Sequence, residues 1–546
     1  MQRVMAVEEL LDTILNESTR ETKARCARAC KSWSNTALDS LWRSMDSTEP
    51  IFSLLSPLTR DRPQGKTHEL KFANKVRAKD WTRLNTYASR IKHLRLRSCV
   101  REGGIHFVYS SSVLLEVAHK RRTLSLLPAL TDLEVAASLD KSLLEFVSLL
   151  VGENLQRLAI YMPHDDALIE SLFEELVDRT TGLIELRLWL PTHYEMDSLT
   201  TFLRAQTKLR TVGFSLNAFQ SNLITLLTEH PLLEEIETLS NDDGILVLPL
   251  DEACTFLVVG CSPPHLTSLS ICSPQFETAE TLYSFLLRAS KACPGLLELR
   301  VDDVLEIIDS PSLGDILRPT EEGGIDFVTI NILEPLYDLS LLRVFTLSYH
   351  RMLHISNTDL DSLVRGWPHL VELSLSFKPT RIGDIPLLTL HALPIVARHC
   401  PQLRHLALYV NCTGAIPSPE EALLGEEPTS LTQQQFSNLR ILEFGLSPIG
   451  DAQTVAVAEY LCRIAPPFTF RTKQSWHSLV NAAPLERGHA ALFESFRQLW
   501  SEVWKLVPIM KNLMEREQVR LVEARREIYR LKARVEALEN QVAKYV

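Results

Sequence analysis

One short pattern recurs down the middle of the chain: a leucine-like residue, two others, an apolar residue, one other, and a second apolar residue. It first appears at Ile91, Leu94 and Leu96. It returns at Leu130, Leu133 and Val135, at Leu155, Leu158 and Ile160, at Leu183, Leu186 and Leu188, and at Leu209, Val212 and Phe214. Later copies are Leu266, Leu269 and Ile271; Leu296, Leu299 and Val301; Leu342, Phe345 and Leu347; Leu370, Leu373 and Leu375; Leu403, Leu406 and Leu408; and Leu439, Leu442 and Phe444. Most neighbours lie roughly 25 to 45 residues apart, with one wider gap before Leu266. The alternation at the end of each copy puts two apolar side chains on one face of a short strand. Helical periodicity fills the segments between, as at Phe146, Val147, Leu149 and Leu150, or at Leu223, Leu226 and Leu227. A strand-then-helix unit cannot bury its apolar face alone. Successive units therefore stack into a curved parallel sheet with outer helices. This growth by stacking replaces the three or four separate domains that 546 residues would otherwise suggest.

The pattern resembles the leucine-rich repeat, and an irregular solenoid is expected over 87–470. The first copy keeps the polar turn residue of that family, Cys99, which most later copies lack. Two interruptions are expected, near 302–335 and at 411–435; Gly414, Pro417, Pro419, Gly425 and Pro428 punctuate the second. Strand residues between the buried positions face the concave side. Arg95, Arg97, Arg157, Tyr161, Arg187, Trp189, Arg300 and Tyr409 are the candidates there for binding a target, because Arg and aromatic side chains anchor protein interfaces. An ordinary solvated charged face is the competing reading.

Composition narrows the function. Lys and Arg number 57 against 68 Asp and Glu, a net charge of -11, which argues against a nucleic-acid partner. Ten scattered cysteines without a CxxC pair suit reduced thiols, and so the cytoplasm or nucleus. No run of about 18 uncharged apolar residues predicts a membrane span. HExxH, GxSxG and paired Cys/His spacings are missing, and Gly65-Lys66-Thr67 lacks the upstream glycine of a phosphate loop. No enzyme activity, metal or cofactor is expected.

The first 46 residues carry the sharpest signal. Leu10, Leu11, Ile14 and Leu15 lie on one helical stripe; Cys26, Ala27, Cys30 and Trp33 form a second, and Leu38, Leu41 and Trp42 a third. Three short helices cannot bury a large core, so they lean on a neighbour or a partner. Glu9-Leu10-Leu11 with Ile14, Ala29-Cys30-Lys31-Ser32-Trp33 and Leu41-Trp42-Arg43 resemble the F-box motif of fungal F-box proteins with irregular leucine-rich repeats. Ala6-Val7 replaces the family's opening Leu-Pro, and 47–86 reads as the link to the repeats.

The resemblance implies a substrate-receptor subunit of an SCF-type ubiquitin ligase. The F-box would dock on the SCF adaptor, and through it a cullin, while the repeats bind a target protein. It implies adaptor-binding residues Val7, Leu10, Leu11, Ile14 and Leu15, and an F-box core of Cys30, Trp33, Leu41 and Trp42. The alternative is a scaffold protein with a degenerate F-box that uses the repeats and the C-terminal helix.

From about 486 to 546 the chain reads as an amphipathic helix. A heptad runs from Trp500, and its clean part has a seam of Leu521, Ile528, Leu531, Val535, Leu538 and Val542. Pro508 is expected to break or kink it. The helix either self-associates into a homodimeric coiled coil or lies on the last repeat as a cap. The whole chain is thus expected to be α/β: an N-terminal three-helix F-box, a leucine-rich-repeat solenoid, and a C-terminal long helix or coiled coil.

Overall fold

The computed structural model describes residues 8–60, 67–97, 106–120, 125–136, 141–162, 165–191, 197–215, 223, 226–227, 229–239, 257, 265–273, 278–303, 327–348, 353–375, 385–417, 436–445, 447–464 and 487–542. The chain divides into two compact units, Met1–Cys272 and Ser273–Val546. The architecture is α/β: N-terminal helices, parallel repeat strands alternating with helices, and a long C-terminal helix.

The first unit opens with three helices, α1 (Glu8–Asn16), α2 (Arg20–Ala29) and α3 (Lys31–Trp42). The Thr19 hydroxyl caps α2 by accepting from the Thr22 amide, a common N-cap device. The chain leaves α3 directly into a two-residue edge strand, β1 (Ser44–Met45), parallel to the first repeat strand, β4 (His93–Arg97). The Arg43 carbonyl accepts from both the Lys92 and His93 amides at 2.9 Å. The small helical unit is thereby fastened to the sheet, which offsets the small size of its core. Trp42 packs on Tyr87 at 4.8 Å between ring centres, and the Arg90 guanidinium pairs with Asp39 of α3.

The stretch 47–86 is more than a connection. It holds a helix (Glu49–Leu55), an antiparallel pair of β2 (Leu58–Arg60) with β3 (Thr67–Phe72), and a helix (Ala78–Ala88). β5 (His106–Tyr109) joins this small sheet beside β3. Phe52 fills its core, with ring centres 5.0 Å from Tyr109 and 5.4 Å from Phe146.

After β4 the repeat strands of this unit follow in sequence order: β6 (Asp132–Ala136), β7 (Arg157–Tyr161), β8 (Glu185–Trp189), β9 (Thr211–Ser215), β10 (Glu235–Leu239) and β11 (Ser268–Ser273), each parallel to the last. The second unit repeats the plan with β12 (Glu298–Asp303), β13 (Val344–Ser348), β14 (Glu372–Leu375), β15 (His405–Leu408) and β16 (Ile441–Glu443). Within each copy the three apolar positions are buried, as at Leu186 and Leu188 or Leu373 and Leu375. One backbone device recurs at each step within a unit: a carbonyl just before one strand accepts two amides from the next copy. Thr131 receives Gln156 and Arg157, and Val371 receives Arg404 and His405. Backbone groups at the strand entrances thus satisfy one another.

β10 fills the wide gap before Leu266. Its copy is Leu233, Ile236 and Thr238, all buried. Thr238 stands where the pattern asks for an apolar residue, so hydropathy alone passes over this strand.

The C-terminal helix (Arg487–Val542) runs unbroken through Pro508, which corrects the expectation of a break there. Proline removes one hydrogen bond but keeps helical φ, and the buried Val507 just before it anchors the turn. Trp500, Val503 and Val507 are buried. Trp500 stacks on Phe444 at 5.0 Å and its indole N–H donates to the Ser447 carbonyl at 2.8 Å. The proximal part of the helix is therefore a cap on this unit.

Of the expected interruptions, 304–326 and 418–435 lie outside the described residues, as do 61–66 with Gly65 and Lys66, and Cys99. No described helix is long and apolar enough to cross a membrane.

Candidate functional site

The structure splits the stripe of α1 in two. Leu11 and Leu15 point inward, 4% and 1% exposed, and form a small core with Ala37 of α3. Cys26, Ala27 and Trp33 pack against it. Leu10 and Ile14 point outward, each 45% exposed. Positions four apart on a helix share a face, so these two make one apolar patch. The expected adaptor set therefore separates into two surface residues and two that hold the unit together, and Val7 lies outside the described residues.

The expected core of the unit is corrected at one position. Cys30 is exposed, at the residue that caps α3, and Cys26 is the cysteine that packs inward. Leu41 and Trp42 are half-buried where α3 meets the rest of the unit. Asp12 of α1 pairs with Arg43 at 2.9 Å, and Asn16 accepts from Ser40 at 3.1 Å. These polar ties fix the rotation of α1 and so decide which leucines face water.

The open face of each repeat sheet carries the other candidates, and most of them are already engaged. In the first unit Asp132 lies between His93, at 2.8 Å, and Arg157. Arg95 pairs with Glu134 at 2.7 Å on the neighbouring strand. Tyr161 and Trp189, partners in the β7–β8 register, stack at 4.1 Å with planes 7° apart. Arg187 contacts Glu185 at 2.5 Å and Glu237 at 2.9 Å. Arg97 ends β4, but its side chain lies outside the described residues.

In the second unit Arg300 sits 3.2 Å from Glu372, two strands away, and 3.7 Å from Glu298. His405 stands between Glu372, at 3.4 Å, and Glu443, at 3.6 Å. Burial would push His405 down, but the two carboxylates outweigh it and raise its pKa to about 9. The neighbouring His405 and then Arg300 hold Glu372 well below the usual carboxylate range, at about 2 despite burial. Tyr409 is buried, 5% exposed, which removes it from the candidate target face.

This arrangement is a ladder of alternating charges across parallel strands. Cross-strand pairs of opposite sign support the sheet, while exposed pairs contribute modestly because water and salt screen them. A target would meet paired charges and an aromatic stack. Among the described residues no group of His, Cys, Asp and Glu is placed to hold a metal ion.

No protein-family model matches this chain, and no curated protein matches it. Among solved structures it is similar to an internalin (inlF) from Listeria monocytogenes, at 16% identity and a TM-score of 0.29, over 66% of this chain and 80% of that one. It is also similar to the crystal structure of the Rad7 and Elc1 complex in yeast, at 14% identity and a TM-score of 0.30, over 86% of this chain and 94% of that one. At these identities and scores neither likeness bears on what this chain does.

Proposed function

We propose that this chain is a non-catalytic substrate receptor of an SCF-type ubiquitin ligase. The three-helix unit docks on the SCF adaptor, and through it a cullin. The repeat sheet holds a target protein, and the complex works in the cytoplasm or nucleus. The chain does no bond chemistry. It raises the effective concentration of target lysines near the conjugating enzyme.

The observation that carries this reading is the division of α1. One stripe, Leu11 and Leu15, locks the unit, and the other, Leu10 and Ile14, stays exposed as a pair on a helix tied to the sheet. An F-box needs such an apolar surface beside a rigid repeat domain. Interface energy concentrates in a few residues, so Leu10→Ala is expected to weaken adaptor binding by about 2 kcal/mol.

The test is co-purification of the full chain with adaptor and cullin, beside a Leu10→Asp/Ile14→Asp variant. Capture by the wild type and not by the variant supports the receptor. Leu15→Ala serves as the contrasting variant. It acts through the core, costing about 2–5 kcal/mol of stability, and lowers capture only as the helical unit unfolds. Ala6-Val7, in place of the family's Leu-Pro, favours the second reading, a scaffold that binds through repeats and C-terminal helix. Failure of the wild type to capture the adaptor would select that reading.

A further inference from the structure

The C-terminal helix changes circumstance partway along. Up to Val507 its apolar stripe is buried in the second unit, with Trp500, Val503 and Val507 at a, d and a of the heptad. Beyond that, the same heptad continues without a skip into solvent. Leu521, Ile528, Leu531, Val535 and Leu538 are 52–62% exposed. Helices draw most of their stability from packing an amphipathic face, and this segment packs against nothing in its own chain among the described residues. A contiguous exposed apolar stripe marks a contact surface.

We propose that the segment 521–542 pairs with a second copy of this chain as a parallel two-stranded coiled coil. The seam chemistry selects two strands. Branched Ile528 and Val535 occupy a, and Leu531 and Leu538 occupy d. The flanking charges select the parallel direction. There, g of one helix meets the next e of its partner, which sets Glu527 against Lys532 and Arg534 against Glu539. Arg520 against Arg525 is the one repulsive step. An antiparallel pair centred on the Ile528 and Leu531 layer would set Glu527 against Arg534 but Arg525 against Lys532, so that attraction and repulsion cancel. Glu527 lies 3.8 Å from Arg530 on its own helix, a loose contact that leaves the carboxylate able to turn across the seam.

The unbroken helix through Pro508 joins this coil directly to the capped repeat unit. A dimer would carry two repeat surfaces on one stem. Two linked sites gain from effective concentration when they meet a repeated or dimeric target. This inference does not depend on adaptor binding, since it concerns the opposite end of the chain.

Sedimentation of the full-length protein tests it. The expected result is a species of twice 61.9 kDa at micromolar concentration. Ile528→Asp/Leu531→Asp is expected to give the single-copy mass with the thermal transition of the repeat units unchanged, because both side chains are exposed. Glu527→Lys is expected to weaken the dimer roughly five- to tenfold, and adding Lys532→Glu to restore it. A wild type that sediments as one copy overturns the proposal, as does a dimer that survives the Asp pair. A dimer indifferent to Glu527→Lys overturns the parallel arrangement. Adaptor capture, measured on the same samples, reports separately on the receptor reading.

Discussion

Arg187 reaches past the strand beside it to meet Glu237 at 2.9 Å, and Gly213 stands between them in the register. Arg187 is level with Gly213, and Gly213 is level with Glu237. A Cβ on residue 213 would come within 3.1 Å of the Arg187 Cγ and 3.2 Å of the Leu239 Cδ2. The missing side chain is what lets the guanidinium span two strands.

Gly213→Val is expected to displace Arg187 and to cost about 1–3 kcal/mol, chiefly by crowding. The ion pair itself contributes less, about 0.2–1 kcal/mol, because both partners are roughly a third exposed and screened. Denaturant midpoints of Gly213→Val, Glu237→Gln and the double variant check this. Coupling between the two changes is expected, since both act on the placement of Arg187.

His405 and Glu372 give the second unit opposite pH limits. His405 has its pKa raised to about 9, so its contribution is complete below its ordinary value near 6.5 and is lost as pH rises through 9. Glu372 is lowered to about 2, so its contribution is complete above about 4.5 and fades as pH falls towards 2. His405→Gln is expected to flatten the alkaline loss of stability between pH 6.5 and 9, an effect of about 1–3 kcal/mol. Unfolding midpoints across pH 5–10 measure it. A His405 ring signal titrating near 6.5 would contradict the assignment.

Trp500 fastens the C-terminal helix to the second unit. Its ring stacks on Phe444, and its N–H donates to the Ser447 carbonyl. Trp500→Phe is expected to lose about 1 kcal/mol and Trp500→Ala about 3–5 kcal/mol. Cys462 offers the readout. Its buried thiol lies 3.2 Å from the Val507 carbonyl, under the same helix, and burial pushes its pKa up. Labelling of Cys462 by a thiol reagent is expected to speed up in the alanine variant while the exposed Cys30 labels at its wild-type rate.

Much of the fold was legible because its cause is local. A strand that alternates apolar and polar residues states its own inner face, and spacing between copies states the stacking. Leu186 and Leu188, or Leu406 and Leu408, are buried as that alternation requires. The strand at Ile236 escaped because Thr238 breaks the hydropathy while still packing inward.

The candidate site was legible in kind and only partly in detail. Leu10, Leu11, Ile14 and Leu15 are alike in hydropathy, and nothing in the stripe says which half faces Ala37. That rotation is set by Asp12 with Arg43 and Asn16 with Ser40, contacts made across 24 or more residues. The pairing of Arg187 with Glu237, and of Arg300 with Glu372, is equally remote in sequence, at separations of 50 and 72 residues. Local periodicity determined by itself that this chain is a stack of strand–helix units with small helical and long helical ends. Tertiary structure alone decided which side chains those units leave to solvent, because burial depends on neighbours brought together only when the copies stack.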